Sequence, residues 1–259
     1  KLFFFFILYP MQRTVIIIPT YNELENIHLI IQAISDLPKP FDILIIDDNS
    51  PDGTALEVKK IQKSKSNVHL LERKGKLGLG TAYITGFKWA LEHNYDYIFE
   101  MDADFSHDPN SLIPLMEACE KGADMSVGSR YIRGGKIINW PKDRILMSYF
   151  ASIYVRIITW LPVTDTTGGF VCYKNKTLRG INLNKITFIG YAFQIEMKYA
   201  VWSSGFKIKE VPITFKDRER GVSKMSTKIF KEAFWGVLQI RKNTLFNSSH
   251  YKALPSNPS

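Results

Sequence analysis

Along the first half of the chain, short unbroken apolar runs alternate with longer stretches whose apolar residues recur every three or four positions. The runs at 15–19, 43–47, 68–72, 95–101 and 125–129 predict strands. The periodic stretches near 23–35, 54–64, 80–93 and 110–121 predict amphipathic helices. Strands without polar alternation are apolar on both faces, so this half reads as a parallel sheet covered by helices on both sides, an α/β fold. In such sheets ligands bind beyond the carboxyl ends of the strands. Thr20-Tyr21-Asn22-Glu23, Asp47-Asp48-Asn49-Ser50 and Asp102-Ala103-Asp104 all fall there, which predicts that they converge on one crevice.

The second half is less regular. A helix over 142–161 carries apolar pairs at 145/146, 149/150, 153/154 and 157/158, opposite a polar stripe of Arg144, Ser148, Ser152 and Arg156. Its apolar pairs either face the core, the commoner arrangement, or lie in a membrane interface; the arginines argue against a span. A strand at 170–173, a helix at 191–204, an extended stretch at 207–215 and an amphipathic helix at 227–241 follow. Residues 14–242 form a single expected domain, flanked by an extension over 1–13 and a disordered tail from Asn243. Met11 is the expected start of the functional protein. The apolar run 1–9 is far short of the ~20 residues that cross a bilayer and has no cleavage-site pattern.

The formal charge is +9, and 207–242 carries ten Lys and Arg against four acids. That imbalance suits an anionic partner, and without a DNA- or RNA-binding motif the expectation is a phosphorylated substrate and a membrane surface, not nucleic acid. Cys119 and Cys172 read as buried free thiols of a reducing compartment. The five histidines have no metal-ligand spacing.

Asp102 and Asp104 are the candidate chemistry. One residue apart at a strand end, they are expected to point the same way and to offer hard oxygens to a divalent cation, with substrate phosphates and water filling its other positions. The same stretch imitates the start of an EF-hand calcium loop. That loop needs Gly at its sixth position and Glu at its twelfth, where this chain has His107 and Ile113, so the calcium module fails. The bland alternative is a solvated acidic turn capping the helix that starts near Pro109.

Val15-Ile-Ile-Ile-Pro19-Thr-Tyr-Asn-Glu23, Ile43-Leu-Ile-Ile-Asp47-Asp48 and Asp102-Ala103-Asp104 together resemble the family 2 glycosyltransferases of the GT-A, Rossmann-like fold. Within that family the resemblance is closest to the polyprenol-phosphate (dolichol-phosphate) mannosyltransferases. It runs through Lys76-Leu-Gly-Leu-Gly80, Gly128-Ser-Arg-Tyr131, Asn139-Trp-Pro141, Asp165-Thr-Thr-Gly-Gly-Phe170, Gly190-Tyr-Ala-Phe-Gln-Ile-Glu-Met197 and Asp217-Arg-Glu-Arg-Gly-Val-Ser-Lys224.

The resemblance implies roles. Pro19, Tyr21, Glu23, Ile46 and Asp48 match nucleotide-binding positions, with Asp48 suited to the N–H donors of guanine. Asp102, Ala103 and Asp104 match the diphosphate and metal positions, with Ser106 as a third contact and Mg2+ or Mn2+ as the ion. Arg130, Arg144 and Ser148 match positions that take the acceptor's phosphate, and Arg218 and Lys224 a basic loop over the donor. Asp102, Asp104, Arg130 and Arg218 are the expected catalytic set.

The implied reaction is inverting transfer of mannose from GDP-mannose to polyprenyl (dolichyl) phosphate. The implied location is peripheral, on the cytoplasmic face of a membrane. A polyprenyl-phosphate glucosyltransferase using UDP-glucose and a non-catalytic nucleotide-sugar or polyprenyl-phosphate binding module are the rival readings.

Overall fold

The computed structural model describes residues 12–190, 192–217 and 227–253, with the side chains of 227–233 excepted. Its first half is the expected alternation. Strands β1 (Thr14–Thr20), β2 (Asp42–Asp47), β3 (Val68–Glu72) and β4 (Tyr97–Glu100) alternate with helices α1 (Leu24–Ser35), α2 (Thr54–Gln62) and α3 (Leu79–Glu92). A 3-10 turn and α4 (Leu112–Glu120) lead into β5 (Met125–Ser129). The second half adds β6 (Lys136–Ile138), α5 (Lys142–Thr159), β7 (Val171–Lys174), α6 (Asn175–Gly180), α7 (Ala192–Ser203), β8 (Ile208–Pro212), β9 (Thr214–Lys216) and α8 (Thr227–Phe246).

Seven strands form one sheet in the order β3-β2-β1-β4-β7-β5-β8, and β6 pairs with β9 in a separate ribbon. All pairs in the large sheet are parallel except those of β7, which runs antiparallel to both β4 and β5. The sheet is therefore mixed but mostly parallel. The strand order reverses between β1 and β4, the kind of crevice that binds ligands in open α/β sheets. Because β7 enters the sheet from the opposite direction, the loop before it lies at the same edge as the residues that follow β4 and β5. Asp102, Arg130 and Asp165 thus reach one edge from three strands.

Side-chain alternation splits the core in two. Ile16, Ile18, Ile43, Ile45 and Phe99 pack against α1, α2 and α4 on one face. Val15, Ile17, Leu44, Ile46 and Ile98 pack against Tyr83 and Phe87 of α3 and Phe193 of α7 on the other. Burial on both faces is why these strands are continuously apolar. Gly80 sets how closely α3 approaches: a Cβ there would sit 2.5 Å from the Phe188 carbonyl and 2.8 Å from the Phe193 ring.

Two expectations for the second half are corrected. The polar stripe of α5 does not face out as a unit, because Ser152 is buried with Val155 and Thr159. Leu146, Met147, Phe150, Ile157 and Trp160 are exposed instead. Thr159 Oγ1 is satisfied there by the Val155 carbonyl at 2.6 Å, and Ser152 is small enough to sit at the packed face of the helix. Likewise, Asn243 does not begin a disordered tail. The last helix continues to Phe246, and Tyr251 is buried with its hydroxyl on Glu196 at 2.9 Å. A buried aromatic with a satisfied hydroxyl anchors the chain there.

Candidate active site

The turns after β1 and β2 are tied to each other before any ligand is considered. Asp47, fully buried, accepts from Thr20 Oγ1 at 2.8 Å, Ser50 Oγ at 2.6 Å and Ser50 N at 2.8 Å, so it braces the turn. The Asn22 and Leu24 N–H groups donate to Ser50 Oγ and Asp52 Oδ2, both at 3.0 Å. Tyr21 emerges beside this brace, with Lys76 Nζ 4.7 Å above its ring. Glu23 accepts from Asn26 Nδ2 at 3.0 Å. Pro19 is half-buried at the end of β1.

Two nucleotide expectations change. Ile46 has no exposed surface, and its side chain belongs to the core under α3, because strand alternation points it inward. Asp48 is 7% exposed and already engaged: Arg73 Nε reaches it at 2.5 Å and the Leu77 N–H at 3.3 Å. Arg73 also binds Thr81 Oγ1 at 2.7 Å and the Gly78 carbonyl at 3.2 Å. It thereby fixes the glycine-rich 76–80 turn over Asp48.

The acidic pair lies beyond β4, not within it, so strand alternation does not aim the two side chains. A loop with Phe105 at φ 60 does so instead. Asp104 is 8% exposed and accepts the Ser106 N–H at 3.0 Å. Ser106 is buried, its carbonyl accepting the Lys216 N–H at 3.3 Å. Below them Tyr83 is wholly buried, and burial followed by the charges of Asp102, Glu100 and Asp104 pushes its hydroxyl well above the usual range.

His107 accepts the Asp102 N–H on Nδ1 at 3.1 Å and stacks on Phe170. Burial holds its pKa down at about 4, so the ring stays neutral with its proton on Nε2. Among the described residues no group of three His, Cys, Asp or Glu is placed to hold a metal alone. Two carboxylates fit an ion whose remaining ligands are substrate phosphates and water, as Mg2+ and Mn2+ sites in nucleotide enzymes are built.

Arg130 follows β5 and is only 7% exposed. Its Nε and Nη2 form a fork on the two Asp165 oxygens, both at 2.7 Å, and Nη2 also reaches Thr167 Oγ1 at 2.9 Å. Burial alone would raise the Asp165 pKa, but the charge and hydrogen bonds of Arg130 hold it below the usual carboxylate range. Glu210 accepts the N–H groups of Thr164 and Asp165 and fixes the loop.

Arg144 stacks 3.9 Å from the Trp140 ring centroid and pairs with Asp217 at 3.2 Å. Arg130 faces the same indole at 5.5 Å, so one ring meets two guanidinium groups. Ser148 is half-buried one turn beyond Arg144. Arg218 and Lys224 lie outside the described residues.

A cavity of about 90 Å³ joins the two sides. Asp102 and His107 from the loop after β4, Arg130 after β5, Thr167, Gly168 and Gly169 before β7, and Gln194 of α7 all line it. Asp102 and Arg130 therefore open on one space. Sequence reading missed Arg73, Trp140, Asp165, Thr167 and Gln194 as working parts. The signal for Gln194 was an amide inside the largely apolar run Ala192–Met197; Asp165, in a loop of threonines and glycines, gave none.

A sheet that reverses order beside paired aspartates, with a bound arginine across the cleft, is the framework of a nucleotide-sugar glycosyltransferase with the GT-A fold. The chain belongs to glycosyl transferase family 2, whose family model matches residues 15–180. It is 43% identical over 234 residues to a polyprenol monophosphomannose synthase of Mycolicibacterium smegmatis, covering 88% of each chain. It is 45% identical over 230 residues to an undecaprenyl-phosphate mannosyltransferase of Micrococcus luteus, covering 87% of this chain and 94% of that one.

Among solved structures it shares the fold of glucosyl-3-phosphoglycerate synthase from Mycobacterium tuberculosis. That enzyme was determined with Mn2+, UDP-glucose and glycerol 3-phosphate. The TM-score is 0.66 at 14% identity, over 90% of this chain and 81% of that one.

Proposed function

We propose that this glycosyltransferase moves mannose from GDP-mannose to a polyprenyl phosphate with inversion, giving the β-mannosyl phosphate lipid and GDP. The observation that carries the reading is the cavity lined by both Asp102 and Arg130. The identities of 43% and 45% with proteins named for this lipid and sugar support the substrates.

The reaction brings two anions together. Asp102 and Asp104 would hold Mg2+ or Mn2+ with the donor diphosphate, and such an ion offsets charge on departing GDP. Arg130 and Arg144, both over the Trp140 ring, receive the acceptor phosphate, Arg130 as a permanent positive charge that Asp165 holds in place. Ser148, one turn from Arg144, adds a hydroxyl to that side. Arg218 and Lys224 follow Asp217 and complete the donor side. Tyr21, Glu23 and the Asp48–Arg73 pair hold the nucleotide, with Pro19 beside them.

A phosphate monoester has its second pKa near ~6, so at neutral pH the acceptor is largely a dianion. One of its oxygens forms a bond to the anomeric carbon as the bond to the diphosphate breaks, and the electron pair leaves with GDP. No proton moves, so no general base is required, and positioning and charge supply the catalysis.

The acceptor's tail places the enzyme on a membrane. Among the described residues no helix is long and apolar enough to cross one. The outer faces of α5 and α8 expose Leu146, Phe150, Ile157, Trp160, Trp235 and Phe246. The two helices pack together through Tyr154 on Phe234 and Arg241 on Trp160. Apolar insertion and a basic C-terminal third supply the two signals that stable peripheral binding needs, on the anionic inner leaflet.

The test is incubation with GDP-mannose, a short polyprenyl phosphate and Mg2+ or Mn2+, with the lipid product analysed by mass spectrometry and NMR. A β-linked mannosyl phosphate lipid is expected. An α linkage overturns the inversion, and turnover with UDP-glucose alone overturns the donor.

A further inference from the structure

Beneath the cavity runs a buried polar line that the reaction as written does not use. Glu100 ends β4, two residues before Asp102, and has no exposed surface. Its carboxylate accepts from the Tyr173 hydroxyl at 2.7 Å and from Gln194 Nε2 at 2.5 Å. On the other side of that amide, Gln194 Oε1 accepts from Lys198 Nζ at 3.4 Å. Lys198, also without exposed surface, donates to the Gly168 carbonyl at 2.6 Å and to the Gln194 carbonyl at 3.1 Å. The Gly168 N–H then donates to Asp165 Oδ1 at 3.1 Å, and Asp165 holds Arg130. The contacts are continuous from the end of the strand that precedes Asp102 and Asp104 to Arg130.

The chemistry of the line is specific. An amide can present its N–H to a carboxylate and its oxygen to an ammonium at once, so Gln194 bridges the two charges in a fixed orientation. Burial pushes Lys198 down to about 8, while the Glu100 and Asp165 carboxylates resist its neutral form. Aliphatic residues of similar size would fill the space without that electrostatic cost. What they cannot supply is a donor for the inward-turned Gly168 carbonyl. The loop is close to its surroundings there: a Cβ on Gly168 would lie 3.1 Å from the Gly128 carbonyl.

We infer that Lys198 is a positioning residue for the acceptor side: bridged through Gln194 to Glu100, it fixes the Gly168 floor of the cavity and, through Asp165, the aim of Arg130. The inference rests on the polyprenyl-phosphate transferase reading and adds to it a residue that touches neither substrate.

K198M alone leaves Glu100 buried without its counter-charge, so folding can fail for that reason. E100Q/K198M removes both charges and keeps both shapes, and it is the decisive variant. It is expected to unfold within a few degrees of wild type and to bind GDP with metal unchanged. Its affinity for a short polyprenyl phosphate, measured by titration calorimetry, should fall about tenfold, with kcat lower by a similar factor. A role in stability alone would not produce this split between the two ligands.

A folded double variant with wild-type affinity for the lipid phosphate overturns the inference, whatever the wild type synthesises. So does an equal loss for GDP. Wild type that binds the lipid phosphate but makes no lipid-linked mannose overturns the transferase reading alone, and weaker lipid-phosphate binding by the variant still carries the positioning role.

Discussion

Replacing Arg130 with Met separates the structural from the catalytic use of one buried charge. In the protein the Asp165 carboxylate has no exposed surface and receives two short bonds from the guanidinium. Arg130→Met leaves that carboxylate buried, with only backbone N–H groups, those of position 130 and Gly168, still donating to it. Breaking a buried pair from one side costs about 3–5 kcal/mol. For a chain of this size each kcal/mol lowers Tm by roughly 2–4 °C, so a fall of about 10 °C is expected at neutral pH.

The pH dependence fixes the sign. In wild type the folded-state pKa of Asp165 is lowered, so the pair's stabilisation is present above the ordinary carboxylate pKa and lost as pH falls through the lowered one. In the variant, burial without Arg130 raises that pKa, and acid relieves the penalty by protonating the carboxyl. The Tm gap between the two proteins should therefore narrow as pH falls below about 5. Differential scanning calorimetry from acid to neutral pH reads this directly, and GDP titration should find nucleotide affinity retained. A variant within 2–3 °C of wild type at neutral pH, or a gap that widens in acid, would refute the reasoning.

Three further outcomes follow from particular contacts. Gly80→Ala forces a methyl against the Phe188 carbonyl and the Phe193 ring and should cost about 1–3 kcal/mol in chemical denaturation; a neutral result would mean the helix start gives way freely. Trp140→Leu removes the ring that Arg130 and Arg144 both face and should raise the acceptor KM about tenfold, while Trp140→Phe, which keeps a π face, recovers most of it; equal defects in both variants would count against stacking. Phe150→Ser with Trp235→Ser should cut partition onto anionic vesicles at least about tenfold, and salt should weaken it further, since both side chains are more than half exposed. Unchanged sedimentation with vesicles would place the membrane contact elsewhere.

The legible parts of this protein were those written locally. Continuous apolar strands declared a sheet covered on both faces, and strand ends put Asp48 and Asp102 at its carboxyl edge. The direction of β7 was not legible, because a four-residue apolar run looks the same parallel or antiparallel. The facing of α5 was ambiguous for a different reason. Its large apolar side chains suit core or membrane equally, and the choice is made by partners eighty residues away, as when the Tyr154 hydroxyl meets the Phe234 carbonyl. The same holds at the site. Arg130 announced a phosphate contact, but not that Asp165, thirty-five residues on, would already hold it. Asp48 suggested a base contact, but its engagement by Arg73 belongs to the tertiary structure.

The central claim is that the paired aspartates and the arginine across the cleft serve one reaction space. A crystal structure of the protein with GDP, Mn2+ and a short polyprenyl phosphate measures it most directly. The account predicts the ion on Asp102 and Asp104 and the lipid's phosphate within hydrogen-bond reach of Arg130 or Arg144, both opening on the cavity that Gln194 floors. A lipid phosphate bound away from that cavity, with the ion still on the aspartates, would contradict it.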